Sequence, residues 1–118
     1  MKISEIKNIL AEAGLPVTHY QWPEDGVPEL PYLVWLLPSS ANFSADNKVY
    51  KRVETLQVEL YSNPRSFTKE ETLEAVLDAH GIVWDKTSVW IDSEYMNETI
   101  YTAEVYIEAE ATEEENNG

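Results

Sequence analysis

The chain is predicted to fold as an α+β domain with two helices packed on one face of a mainly antiparallel sheet, in the order α-β-β-β-α-β-β. Three observations carry this. Ile3, Ile6, Ile9, Leu10 and Ala13 recur at spacings of three and four near the start, and Leu73, Val76 and Leu77 do so again past the middle. The stretch TLQVELY, residues 55 to 61, alternates strictly, with Leu56, Val58 and Leu60 on one side and Thr55, Gln57, Glu59 and Tyr61 on the other. The segment 101–110 repeats that pattern, with Tyr101, Ala103, Val105, Ile107 and Ala109 opposed to Thr102, Glu104, Tyr106, Glu108 and Glu110. Period two with one wet face marks half-buried strands.

The first helix ends where Gly14 supplies a left-handed cap and Pro16 cannot continue the turn. LPVTHYQW follows as a short strand bounded by the turn formers Pro23-Glu24-Asp25-Gly26. The unbroken apolar run Tyr32 to Leu37 lies between prolines and reads as a central strand covered on both faces. Residues 38–48, PSSANFSADNK, are turn formers around Phe43 and are expected to be a long loop, a place where function often sits. The alternating strand then runs to about Ser62, and Asn63-Pro64-Arg65 turns out of it. Thr68-Lys69-Glu70-Glu71 has the capping-box pattern and starts the second helix, which His80 and Gly81 close. The remainder divides into two strands joined through SEYMNET, and no internal repeat is found.

At 118 residues with 43% hydrophobic content, the chain suits a single domain, expected over 1–111, followed by an acidic tail, 112–118, too poor in large apolar residues to order itself. There is no cysteine, which excludes disulfides, thiolate nucleophiles and zinc–cysteine sites and points to the cytosol. Glu5 and Lys7 break the N-terminal apolar residues, so an amphipathic helix is expected there and no signal peptide. No run approaches the roughly 18 apolar residues that a membrane helix needs, so a soluble protein is expected. Asn97-Glu98-Thr99 matches a glycosylation sequon without the secretory context that would make it an acceptor. The 22 acidic residues against 8 Lys and Arg give a net charge of −14, which repels nucleic-acid phosphate and anionic lipid.

Chemistry-bearing patterns are sparse. His19 and His80 belong to no metal-binding spacing, and Ser39-Ser40 has no histidine near it in sequence. Four glycines, none clustered, make no phosphate-cradling loop. Asp92 with Glu94, and Asp46 beside Asn47, could offer oxygen ligands to a hard cation, but such residues are equally ordinary turn formers. No catalytic, cofactor or metal residue is therefore assigned, and an enzyme is not expected. Trp35 lies within the apolar run and reads as core. Trp90 and Tyr106 fall on the opposite parity to Val89, Ile91, Val105 and Ile107, so both are expected on the outer sheet face, rimmed by Glu104 and Glu108. Large aromatics in such a place suit a protein–protein contact.

Taken together, ELPYLVW (29–35), SADNKVYKRVETLQVELYSN (44–63), the helix ending DAHGI (78–82) and WIDSEYMNETIYTAEV (90–105) resemble the tail-terminator or tail-completion proteins of long-tailed phages and prophages of Gram-positive bacteria. These are also called head–tail joining or minor capsid proteins. The resemblance spans nearly the whole chain up to the acidic tail and lies in order and spacing. It implies helices packed on a sheet and a ring, usually of six subunits, that caps the finished tail tube and meets the head connector. Assembly in the host cytoplasm and residence at the head–tail junction follow from it. It implies as partners other copies of the chain, the tail tube protein and head connector proteins, with no membrane and no sequence-specific nucleic-acid binding. It supplies no catalytic residues. On this reading loop 38–48 reaches an axial partner or the lumen, and Phe43, Asp46, Tyr61, Trp90 and Tyr106 are the candidate contact residues. The neighbouring head-completion or connector role is the closest alternative. The charge raises another, an acidic DNA mimic that blocks a host nuclease.

Overall fold

The spacing of Ile6, Ile9 and Leu10 winds into α1 (Ile3–Ala11), which buries those three side chains, while the Glu5 carboxylate accepts the amide of Lys2 at its start. Gly14 follows with φ +78°, a conformation that a residue with a Cβ rarely adopts. The computed structural model of the chain describes residues 1–45 and 48–109, with backbone alone for 43–45 and 48–51. Asp46 and the acidic tail 112–118 lie outside the described residues.

A five-stranded sheet carries the fold. Its strands are β1 (Val17–His19), β2 (Tyr32–Ser40), β5 (Val53–Ser62), β6 (Trp84–Ile91) and β7 (Met96–Tyr106), in the spatial order β1-β2-β5-β7-β6. All neighbours are antiparallel except β1 and β2, which run parallel through Val17↔Leu33 to His19↔Trp35. The apolar run is buried at four successive residues, Tyr32 to Trp35, as expected for a strand covered on both faces. The strand in the middle is β5, whose long ladder with β7 runs unbroken from Val53↔Tyr106 to Ser62↔Asn97.

The expected loop 38–48 is corrected by two further strands, β3 (Phe43–Ala45) and β4 (Lys48–Lys51), which pair antiparallel as a separate two-stranded sheet. The element order is therefore α-β-β-β-β-β-α-β-β, in place of the expected α-β-β-β-α-β-β. This hairpin forms part of the connection from β2 to β5. Pro38 lies where the β2 register against β5 shifts, between Leu36 and Ser39, because a residue without an amide proton cannot keep a regular ladder.

The second helix, α2 (Phe67–Ala79), is capped by Ser66, whose hydroxyl accepts the amide of Lys69 at 3.2 Å, two residues before the Thr68 box read from sequence. Gly81 closes it at φ +69°. Both helices cover one sheet face: Ile6, Leu10, Leu73 and Leu77 join Leu33, Trp35, Leu56, Val58, Leu60 and Tyr101 in a single core. His80 ties the helices together at the rim, with its Nε2 3.0 Å from a Glu12 carboxylate oxygen.

One charged residue is part of that core. Glu70 is 1% exposed. Arg65 grips it with two bonds, Nε to Oε2 at 2.8 Å and a terminal nitrogen to Oε1 at 3.0 Å. Lys86 of β6 reaches Oε1 at 3.1 Å, and the Thr99 hydroxyl of β7 donates to Oε2 at 3.1 Å. Lys86 also bonds Glu74 at 2.6 Å, and the Tyr101 hydroxyl donates to the same carboxylate at 2.7 Å. Burial pushes the Glu70 carboxyl upward, but bonds from Arg65, Lys86 and Thr99 outweigh it, and the group sits below the usual carboxylate range. Its ionised form therefore adds stability above the ordinary glutamate value of about 4.3, and that contribution is lost as pH falls through the folded value. Glu70→Gln is expected to destabilise by about 2–3 kcal/mol at pH 7, less than a wholly enclosed pair because Arg65 and Lys86 stay partly in water. Urea unfolding from pH 7 to pH 2 should show the variant losing less stability on acidification than the parent chain. An equal loss in both would contradict the assignment.

Candidate assembly surface

Among the described residues, both helices lie on one face of the sheet and none covers the other. Strand parity places Thr55, Gln57, Glu59 and Tyr61 of β5 there, with Glu98, Ile100, Thr102, Glu104 and Tyr106 of β7 and Asp85, Thr87 and Val89 of β6. Among the described residues, the strand positions of this face carry Glu59, Glu98, Glu104 and Asp85 and no lysine or arginine. Where β6 begins, the face dips into an open groove of about 790 Å³ bordered by Val53, Thr55, Val83, Thr102, Glu104 and Tyr106.

The candidate contact residues do not converge. Tyr106 is on the open face as expected and is 61% exposed. Trp90 is not: it stands opposite Asn97 on the helix-covered side, so its assignment to the outer face is corrected. Its neighbours Val89 and Ile91 hold the outer positions instead. Trp90 is nonetheless 44% exposed, because it lies at the end of β6 where Tyr95 meets its ring edge-on at 5.2 Å. Tyr61 shares the open face with Tyr106, but the register puts them at opposite ends of β5, about 27 Å apart at the rise of an extended strand. The backbone of Phe43 belongs to the hairpin, and Asp46 lies outside the described residues.

Tyr61 is partly buried, and its hydroxyl is engaged, 2.8 Å from Glu98 Oε2 and 3.0 Å from Glu59 Oε1. Gln57 donates to the other Glu59 oxygen at 2.7 Å. This polar cluster escaped the sequence reading because Glu59 and Glu98 come from different strands 39 positions apart in the numbering, and only the β5–β7 register joins them. Burial pushes the Glu98 carboxyl up, the nearby Glu59 carboxylate adds to the rise, and the Tyr61 hydrogen bond opposes it. Burial likewise raises the Tyr61 phenol, which stays a donor.

Asp92 and Glu94, considered as cation ligands, lie in a 3₁₀ turn (Asp92–Glu94) and are exposed. No group of three or more His, Cys, Asp or Glu side chains suited to a metal ion occurs among the described residues. His19 stacks on Trp35 at 4.1 Å between ring centroids. Among the described residues no helix is long and apolar enough to cross a membrane.

No family model matches the chain, and no curated protein does. Among solved structures, a chain from the virion of a native gene transfer agent particle is similar, with a TM-score of 0.56 and 13% sequence identity over 83% of this chain and 84% of that one. At that identity the likeness is one of fold. It extends over more than four-fifths of each chain.

A raised carboxyl favours the protonated folded state, so the Glu98 contribution is fully present below the unfolded glutamate value and is lost as pH rises through the folded one. Glu98→Gln removes the repulsion from Glu59 while keeping an acceptor for Tyr61. It is expected to stabilise the chain by up to about 1 kcal/mol at pH 8, with the difference closing towards pH 4. Paired urea titrations at the two pH values check this, since the Glu70 contribution is common to both chains and cancels.

Proposed function

We propose that this protein is a structural subunit of a phage-type virion, and within that class a tail-terminator or tail-completion subunit that caps the tail tube as a ring and joins it to the head connector. The observation that carries the reading is the near full-length likeness of fold to a chain of a gene transfer agent virion. The sequence resemblance to tail-terminator proteins points the same way and supplies the finer role. The shape is compatible with it. A ring subunit needs different surfaces for two neighbours and for axial partners. This chain offers an open sheet face, a free sheet edge and a two-stranded hairpin in distinct places. On this reading its partners are other copies of itself, six in the ring, with the tail tube protein and head connector proteins. It assembles in the host cytoplasm, stays at the head–tail junction and performs no catalysis. A head-completion or connector subunit is the neighbouring alternative.

The DNA-mimic reading draws less support from the geometry. A phosphate mimic needs ionised carboxylates facing outward, whereas Glu59 and Glu98 converge on one tyrosine hydroxyl and Glu98 is pushed towards its neutral form.

Particles made from a genome whose copy of this gene carries an early stop codon test the role by electron microscopy. Overlong tails without heads are expected for a terminator. Normal-length free tails beside filled heads would move the role to joining, and normal infectious virions would overturn the structural reading.

A further inference from the structure

The two edges of the sheet are protected very unequally. At one, β1 is only three residues long, and the part of β2 beyond it carries Pro38 and a register shift. Such features blunt an edge against strand addition. At the other, β6 runs for eight residues with a continuous register against β7, from Trp84↔Ala103 to Ile91↔Met96, and contains neither proline nor bulge. Residues 85, 87, 89 and 91 face β7 with their amides and carbonyls, so the main-chain groups of Trp84, Lys86, Ser88 and Trp90 point outward. None of these outward groups has a main-chain partner among the described residues.

A lysine in mid-edge would ordinarily guard such a strand. Here Lys86 is drawn off the edge, with its ammonium held against α2 by Glu74 at 2.6 Å and Glu70 at 3.1 Å. Around the edge, Val83 is 85% exposed, Val89 48% and Trp90 44%, beside the exposed Asp85 and Thr87.

We propose that the β6 edge pairs antiparallel with the β6 edge of a second copy, joining two sheets into one about a two-fold axis. A second copy is the favoured occupant because β6 is itself an unprotected edge, whereas the opposite edge of the sheet is blunted. Outward-facing residues must pair with outward-facing residues. The register that engages all of them sets Trp84 against Trp90, Lys86 against Ser88 and Asp85 against Val89, and puts Thr87 against its own counterpart on the axis. No charge then meets its like across the strands, and two tryptophan pairs form. The net charge of −14 opposes the union at long range, so added salt tightens it. The inference concerns the free chain in solution and does not depend on the virion reading.

The chain has no cysteine, so single cysteines report the register directly. Sedimentation velocity of the full chain over a wide concentration range should show a monomer–dimer equilibrium that shifts to dimer with salt. Under mild oxidation Thr87→Cys should form a disulfide-linked dimer, because residues facing each other on the axis come within bridging distance. Ser88→Cys, set opposite Lys86, should not. Trp90→Pro removes an outward amide that the fold itself does not use, and should abolish the dimer while leaving the far-ultraviolet circular dichroism unchanged. A chain that stays monomeric at all concentrations, with Thr87→Cys uncrosslinked, overturns the proposal. So does a dimer that folded Trp90→Pro leaves intact, or cross-linking through Ser88→Cys in place of Thr87→Cys. Should Trp90→Pro fail to fold, the two cysteine variants still decide, since Thr87 is exposed and Ser88→Cys is nearly isosteric with the parent.

Discussion

The ion cluster at Glu70 is the interaction on which the arrangement of α2 against the sheet depends. A carboxylate with 1% exposure is tolerable only with full compensation, and its partners come from the turn before the helix, from β6 and from β7. Arg65, Lys86 and Thr99 can meet at one carboxylate only in one placement of helix over strands. Leu73 and Leu77 already anchor α2 in the core, and this network adds a further penalty to any slip by stranding a buried charge. Asn97, Ser88 and Thr99 continue the polar contacts along the same side of the sheet, with the Asn97 amide donating to both hydroxyls.

The same cluster shapes the surface. By holding Lys86 over α2 it draws the one cation of β6 off the edge, so a contact that fixes the interior also leaves that edge less guarded. On the far face no helix was available to cover β5 and β7, and Tyr61, Glu59 and Glu98 satisfy one another there. A sheet covered on one side, with one edge blunted and the other not, suits a subunit that completes itself in an assembly.

Much of this was legible in the sequence where physics is local. The three-and-four spacing of Leu73, Val76 and Leu77, the Gly81 cap, the alternation from Thr55 to Tyr61 and the buried Trp35 all follow from side-chain periodicity or backbone preference. What was missed depends on pairing between distant segments. A glutamate early in a helix reads as solvated, and nothing near Glu70 in sequence announces Lys86 or Thr99. The stretch PSSANFSADNK reads as turn formers around Phe43, yet pairing from Phe43↔Lys51 to Ala45↔Lys48 makes strand of Phe43, Ser44 and Ala45 themselves. The face of Trp90 was misread because β6 carries apolar residues on both sides, so parity within the strand is silent and only the register opposite Asn97 decides. The likeness to a virion chain, at 13% identity, lies below what residue patterns reveal and shows in the fold.

Three features support the proposed role as part of a particle: the fold likeness, the open sheet face and the unguarded edge. The most direct test is quantitative mass spectrometry of density-purified particles from cells that express this gene, counting copies of the chain against the major capsid protein. The proposed role predicts a small fixed number per particle, of the order of one ring, retained through repeated banding. Complete absence from banded, tail-bearing particles would contradict it.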